Sequence, residues 1–344
     1  MRALVVDAPR AAAVREVPDP VAGPGELLVE VERAGICGTD VELWSGEMAY
    51  IQQGVTRFPL RLGHEWVGRV LAAGSSEDGD WAGRRVTGDT MIGCGRCAAC
   101  TAGRHHVCPD REEVGIRGDR PGALAERLVL PTRVAHRIPE HVGLTAAALV
   151  EPGGNALRAV HGAAVGPGSR LLVLGSGTIG LLVALFALAG GAEVHVAGVD
   201  ATTLALARDL GAHATHRVEE LAAGPQDRFD AVVDATNDAG APALALRLVR
   251  PAGRVVLIGL SSAPSPIDTR DAVLQDVTLV GVLSASPALE ATIAAYASGA
   301  VVPDAVVGEL IALEEVPLRF SGRRGPGAGR GPKIHIDPRR RPRS

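Results

Sequence analysis

The sequence predicts an α/β protein in two parts, an irregular β barrel or sandwich first and a doubly wound parallel sheet second. Three observations carry this expectation. Short alternating strands punctuated by Gly, Pro and Asp fill the first half. From about Ser169 onward, apolar strands and helices take turns. The triplet Gly175-x-Gly177-x-x-Gly180 stands at the first strand–helix junction of that second part.

In GELLVEVERAG, Val29 and Val31 alternate with Glu30 and Glu32, the pattern of a half-buried strand. WVGRVLAAG and GALAERLVLP read the same way. In the second half, 171–174 is a strand, 179–189 a helix and 193–199 a strand. A helix over 202–210 places Leu204, Ala207 and Leu210 on one face and stops at Gly211. Further apolar strands are expected at 231–234, 255–258 and 277–282, and KIHID at 333–337 closes the fold. The expected organisation is a first domain over 1–155 and a second over 156–287. The chain then returns to the first domain over 288–337 and ends in a basic tail at 338–344.

A chain of 344 residues exceeds what one core usually serves, and 47% hydrophobic content argues against extensive disorder. Aromatics are only 3%, so the core must be built from Val, Leu, Ile and Ala. Lys333 is the sole lysine, read here as compositional bias. The net charge of −4 is uneven: Arg319 to Ser344 carries nine Arg or Lys against one acid, Asp337. That Gly/Pro-rich stretch lacks the aromatics of a nucleic-acid surface, so a solvated, partly disordered terminus is expected. The uncharged run 171–190 imitates a membrane span, but GSGTIG inside it splits it into a strand and a helix. The N-terminus MRALVVDAPR is too short in apolar residues for a signal peptide. A cytoplasmic protein with reduced thiols is expected.

Four of the five cysteines form C-x2-C-x2-C-x7-C at Cys94, Cys97, Cys100 and Cys108. Cysteines three apart on a tight turn rarely meet disulfide geometry, and a thiol redox site needs only one C-x-x-C before a helix. Four thiolates on a Gly-rich loop suit a closed tetrahedral zinc site that staples the loop. His105 and His106, inside this stretch, are read as surface polar residues. The fifth cysteine, Cys37 in GICGTD, has partners elsewhere: His64 and Glu65 in RLGHEWVG, and Glu151 in LVEPGGN. Thiol, imidazole and carboxylate with one open position make a catalytic zinc site.

CGTD, GHEWVG, the four-cysteine lobe and VLGSGTIG occur in an order that resembles the zinc-dependent medium-chain alcohol dehydrogenases, over nearly the whole chain. Glu151-Pro152 resembles the polyol and threonine dehydrogenase branch. The resemblance implies a GroES-like catalytic domain, a Rossmann domain and two zinc ions, one catalytic and one structural. It implies Cys37 and His64 as ligands of the catalytic zinc, and leaves the third position open between Glu65 and Glu151. It also implies that Thr39 handles the substrate proton. The family often has a relay histidine five residues after the zinc cysteine, where this chain has Glu42.

The glycine triplet, flanked by a strand and a helix, lets the backbone approach a pyrophosphate at a helix N-terminus, with Thr178 and Ile179 opening that helix. Asp200 follows Gly180 by twenty residues, suits two ribose hydroxyls and repels a 2′-phosphate, so NAD is expected over NADP. Further contacts carried over from the family are Ile258, Gly259, Leu260, Val282, Leu283 and Ser284 at strand ends. Trp44 and Tyr50 stand as pocket walls or as packing for their own loop.

Together these readings give a zinc- and NAD-dependent dehydrogenase. Its small-molecule substrate is a hydroxyl-bearing polyol, sugar or aminocyclitol, because SGEMAYIQQGVTR and the carboxylates are polar. An NADPH-dependent aldehyde or ketone reductase is the enzymatic rival. A zinc-stabilised nucleic-acid binder is the rival of another class, and it leaves GHE and GSGTIG unexplained. The apolar VTLVGV at a sheet edge suits a homodimer or homotetramer.

Overall fold

The structure is a computed structural model that describes residues 1–118, 120–223, 228–325 and 327–341. The strand Glu26–Gly35 buries Leu27, Val29 and Val31 completely, as its alternation dictates. It is the spine of a seven-stranded mixed sheet. On one side it pairs antiparallel with Glu65–Ala73, which continues to Arg85–Gly88 and Ala135–Arg137. Arg127–Pro131 also pairs with it. On the other side lies Lys333–Ile336, joined in parallel to Val307–Ile311, so the end of the chain returns to the first sheet.

The second sheet has six strands, all parallel. Their order is Ala214–Arg217, Glu193–Gly198, Arg170–Leu174, Phe229–Asp234, Val249–Leu257 and Thr278–Gly281. The order reverses at Arg170–Leu174, which opens a crevice at its C-terminal end. The run 171–190 is divided as expected into the strand Arg170–Leu174 and the helix Thr178–Ala189. Among the described residues no helix is long and apolar enough to cross a membrane.

The helix Val150–Ala163 joins the two halves. It packs on the helix Thr178–Ala189 of the second half and on the strand Glu65–Ala73 of the first. Its buried face, Val150, Ala156, Ala159 and Val160, belongs to the largest core cluster, with Leu171, Val173, Leu181 and Leu182. Those aliphatic residues build the core that the low aromatic content demands.

Two expectations fail. Much of the basic C-terminal stretch is folded rather than solvated: Arg319 and Arg324 pair with Glu309, Arg330 with Asp209 and Arg339 with Asp337. Pairing with acids, Asp209 far off in the chain and Glu309 and Asp337 nearer by, overrides the composition, which says nothing of partners. Residues 342–344 of the expected tail lie outside the described residues. His105 and His106 are not surface residues either: His106 is buried, and His105 Nε2 lies 2.6 Å from Asp89 Oδ2.

Candidate active site

Cys37 ends the run that begins with Glu26–Gly35 and caps the short helix Gly38–Ser45. Its extended backbone, φ −103° and ψ 161°, turns the thiol out of the strand. Asp40, at the third helical position, folds back so that Oδ2 accepts from the Cys37 N–H at 2.9 Å. Its other oxygen accepts from the Gly63 N–H at 3.1 Å and lies 3.5 Å from His64 Nδ1. One fully buried carboxylate thus ties the Cys37 loop to the His64 loop. Gly63 has φ +104°, and a Cβ there would stand 2.6 Å from the Leu124 nitrogen, so no other residue fits the turn before His64.

Cys37, His64 and Glu65 bring one donor atom each to within 4.8 Å of one another. Glu65 reaches this point because its partner across the ladder is Gly35. A Cβ at Gly35 would stand 2.2 Å from Glu65 Oε2. Both Glu65 oxygens accept from Lys333 Nζ, at 2.7 and 2.6 Å, and the same ammonium donates to the Ile36 carbonyl at 2.8 Å. The single lysine of the chain is therefore buried against the site; burial opposes its charge, yet Glu65, Cys37 and Asp40 together raise its pKa.

Glu151 opens the helix Val150–Ala163, is buried, and accepts from Asn155 Nδ2 at 2.9 Å. It is not part of the 4.8 Å cluster. Burial, with help from the charge of Glu65, pushes its pKa up to about 7, against the pull of His64. Burial opposes a charge on His64, yet Asp40 and Cys37 raise its pKa well above the ordinary value. A thiol and three carboxylates thus surround one imidazole. His64 Nδ1 is buried and lacks a hydrogen bond of good geometry. Such a donor set, rich in negative charge, fits a divalent cation with mixed sulfur, nitrogen and oxygen ligands, and zinc above all.

Removal of the metal should expose this excess of negative charge. Between pH 4.5 and 7 the folded, metal-free chain holds a proton on Glu151 that the unfolded chain has released. Folded protein then binds more protons, so the Glu151 contribution to stability falls as pH rises through that window. The stability of wild type relative to Glu151→Gln is expected to drop by up to about 3 kcal/mol from pH 4.5 to 7. Thermal unfolding of the stripped proteins across this range checks it, and a flat difference rejects it.

Thr39 is half-buried in the first turn of the helix Gly38–Ser45. Glu42, one turn further on, forms no side-chain hydrogen bond or ion pair among the described residues. Burial, then the charge of Glu47, raises its pKa. Trp44 packs on Phe320 with ring centroids 5.6 Å apart. Tyr50 turns to the loop after the cysteine lobe, where its hydroxyl lies 3.0 Å from Arg111 Nη2.

The four thiols of Cys94, Cys97, Cys100 and Cys108 form a second cluster within 4.8 Å. None is in a disulfide. Backbone N–H groups of Arg96 and Cys97 lower the Cys94 thiol to about 6, and burial raises Cys100 to about 11. Gly95 and Gly103, at φ +77° and +70°, make the turns. The lobe is tied inward through His105 to Asp89. Asp89 Oδ1 accepts from the Ser286 hydroxyl at 2.6 Å, so a hydrogen-bond chain runs from the lobe to the segment after the last strand of the second sheet.

In the glycine loop each position has its own reason. Gly175 has φ +104°, and a Cβ there would stand 2.8 Å from the Ala235 carbonyl oxygen. A Cβ on Gly180 would lie 1.8 Å from the Gly175 oxygen, so helix and loop touch there. Gly177 caps the helix Thr178–Ala189 and faces open space, where a ligand backbone or phosphate can approach. Asp200 is exposed and caps the helix Ala201–Asp209, accepting from the Thr203 N–H at 2.9 Å. The Arg217 guanidinium donates to the carbonyl of Val199, one residue away. Ile258 and Gly259 donate to the Asp234 carbonyl. Leu260 and Leu283 are exposed, and Ser284 is buried against Ser286. Val282 donates to the Leu257 carbonyl.

Sequence reasoning missed Asp40, Lys333, Asn155 and Asp89. The first stood in plain view within CGTD, three residues from Cys37. The uniqueness of Lys333 was the signal for the second.

Comparison with known proteins agrees with this architecture. Residues 23–140 match the alcohol dehydrogenase GroES-like domain, and 178–298 match the zinc-binding dehydrogenase domain. An L-threonine 3-dehydrogenase from Streptomyces avermitilis is 37% identical over 78% of this chain and 79% of its own length. One from Anaeromyxobacter sp. is 34% identical over 78% of each chain. A zinc-binding dehydrogenase from Sinorhizobium meliloti, solved with NADP, is 32% identical with a TM-score of 0.88 over 98% of this chain and 99% of its own.

Proposed function

Because the chain belongs to the zinc-dependent medium-chain alcohol dehydrogenases and is an NAD(P)-dependent enzyme of that family, we propose that it transfers hydride between NAD and a polar secondary alcohol. The substrate class is a polyol, a sugar, an aminocyclitol or an amino alcohol. The observation that carries this reading is the Cys37–His64–Glu65 cluster, with Glu151 on the helix that packs on both halves. When bound, zinc and the nicotinamide supply charge stabilisation at the substrate oxygen and the hydride acceptor. Cys37, His64 and Glu65 would hold the zinc, and Cys94, Cys97, Cys100 and Cys108 the structural ion. Glu151, at the start of the helix Val150–Ala163 and in the field of His64 and Glu65, would orient the substrate hydroxyl. Thr39 accepts the hydroxyl proton and passes it on, with Glu42 one turn beyond it.

The curated relatives named L-threonine 3-dehydrogenase support the amino-alcohol arm of this reading. Initial rates of the zinc-loaded enzyme with L-threonine, a hexitol and simple primary alcohols decide it. Highest kcat/KM on a polar secondary alcohol is expected, and strong preference for an unbranched primary alcohol rejects the proposal.

NAD is the favoured cofactor because the Asp200 carboxylate is exposed just past the strand Glu193–Gly198, where it can accept from ribose hydroxyls and repel a 2′-phosphate. Arg217 beside Val199 favours NADP as the second reading, as does the relative solved with NADP. Replacing Asp200 by Ser should raise the NADP/NAD ratio of kcat/KM by about 10- to 100-fold. An unchanged ratio would remove Asp200 from the cofactor site.

The strand Thr278–Gly281 lies at the edge of the parallel sheet with Leu279 and Leu283 exposed, which supports a dimer joined along that edge. Sedimentation of the purified protein as a monomer would overturn this.

A further inference from the structure

A cavity of about 550 Å3 opens between Val5 of the strand Arg2–Ala8 and the loop segments 17–20, 55–61, 115–118 and 120–121, within the usual size range of ligand pockets. It shares no lining residue with the Cys37–His64–Glu65 cluster or the glycine loop. Its place follows from the alternation of an extended segment. Leu62 faces the core beside Leu4 and Val6, and Arg61 and Val5, each one residue away, line the cavity. The walls are apolar, with Val5, Val17, Pro59 and Ile116 among them, but four arginines also open on this space.

These arginines differ in how they are satisfied. Arg120 is bound to Glu112 and Glu26. Arg117 lies over the Tyr50 ring at 5.7 Å and makes one long bond, 3.4 Å, to the Pro109 carbonyl. Arg57 and Arg61 form no side-chain hydrogen bond or ion pair among the described residues. Asp19, the acid on the same wall, is engaged by the N-terminal ammonium and by Arg127. Arg61 is half-buried, and burial alone lowers its pKa, with no anion to offset the effect. A guanidinium held out of water without a partner is costly, and a bidentate oxyanion is the group that satisfies its planar fork.

We propose that this cavity is a binding site for a small molecule with an apolar body and a terminal phosphate or carboxylate, held by Arg57, Arg61 and Arg117. The apolar walls take the body, and the three guanidiniums take the oxyanion. The site is separate from the dehydrogenase centre, so it stands or falls independently of the substrate proposed above.

The test is titration calorimetry on the zinc-loaded enzyme saturated with NAD, which keeps the dinucleotide crevice filled. The probes are phenyl phosphate, benzoate and neutral benzamide, at constant ionic strength set with chloride. Saturable binding of one or both anions is expected, with none for benzamide, and their ranking tells phosphate from carboxylate. Arg61→Met should weaken the anion by about tenfold or more. Arg57→Gln, at an exposed position, should weaken it too. Absence of saturable binding, equal binding of benzamide, or anion affinity unaltered in both variants overturns the proposal.

Discussion

Replacing Cys37 by alanine is expected to lower kcat/KM by roughly a thousandfold or more, because several kcal/mol of charge stabilisation are lost with the metal. Zinc content should fall from two ions per chain to one, in line with the two separate donor clusters. The four-thiol lobe does not share residues with the Cys37 cluster, so its ion should stay. Asp40→Asn provides a graded companion. It keeps the size of the side chain but loses the charge that faces His64 and an acceptor that ties Gly63 to the Cys37 turn. A loss of about 10- to 100-fold in affinity for the catalytic zinc is expected. Metal analysis beside steady-state kinetics checks both. Full activity with two zincs per chain would show that the thiol of Cys37 is not a ligand.

Replacing Lys333 by methionine should be the most destabilising single change near the site. Lys333 and Glu65 are both almost fully buried, and the ammonium meets both oxygens of the carboxylate. Removing the cation leaves a buried, uncompensated carboxylate, which costs about 3–5 kcal/mol. The double variant Lys333→Met with Glu65→Gln removes both charges and should recover much of that loss. Denaturant unfolding of the metal-free proteins measures it. The metal-free state matters, because bound zinc would supply a second cation to Glu65. If the single and double variants are equally unstable, the ion pair is not the cause.

The two variants also separate two uses of one carboxylate. Glu65 is close enough to Cys37 and His64 to join them at a cation, yet it is tethered by Lys333. The tether holds Glu65 in place when the metal is absent, and the Gly35 opposite makes the room. Among the described residues Glu151 has only the Asn155 amide as a side-chain hydrogen-bond partner, and it carries a raised pKa. Its environment suits a group that gains or loses a proton near neutrality.

Motif residues were legible before any coordinates. The spacing of Cys94, Cys97, Cys100 and Cys108 requires short turns, and short turns leave few ways to place four thiols. The strand–glycine–helix pattern around Gly175 to Gly180 is local in the same sense: a Cβ at Gly180 would strike the Gly175 oxygen five residues away. His64 and Glu65 could be named from GHE, and the strand periods could be read from Val29, Val31 and the run after Ser169. His105, His106 and the arginines after Phe320 were read as exposed, and the structure places most of those described in contact with acids or inside the fold.

The sequence by itself determined the local chemistry of this protein, namely the thiol lobe, the glycine turn, the paired rhythms of strand and helix, and the identity of the candidate ligands. Those features depend on neighbours within a few residues, where chain geometry leaves little freedom. Only the tertiary structure decided which distant groups meet. Lys333 reaches Glu65 across 268 positions, and Ser286 reaches Asp89 across 197. Whether a charge is buried beside its counter-charge depends on how the sheets close, and no local pattern encodes that distance.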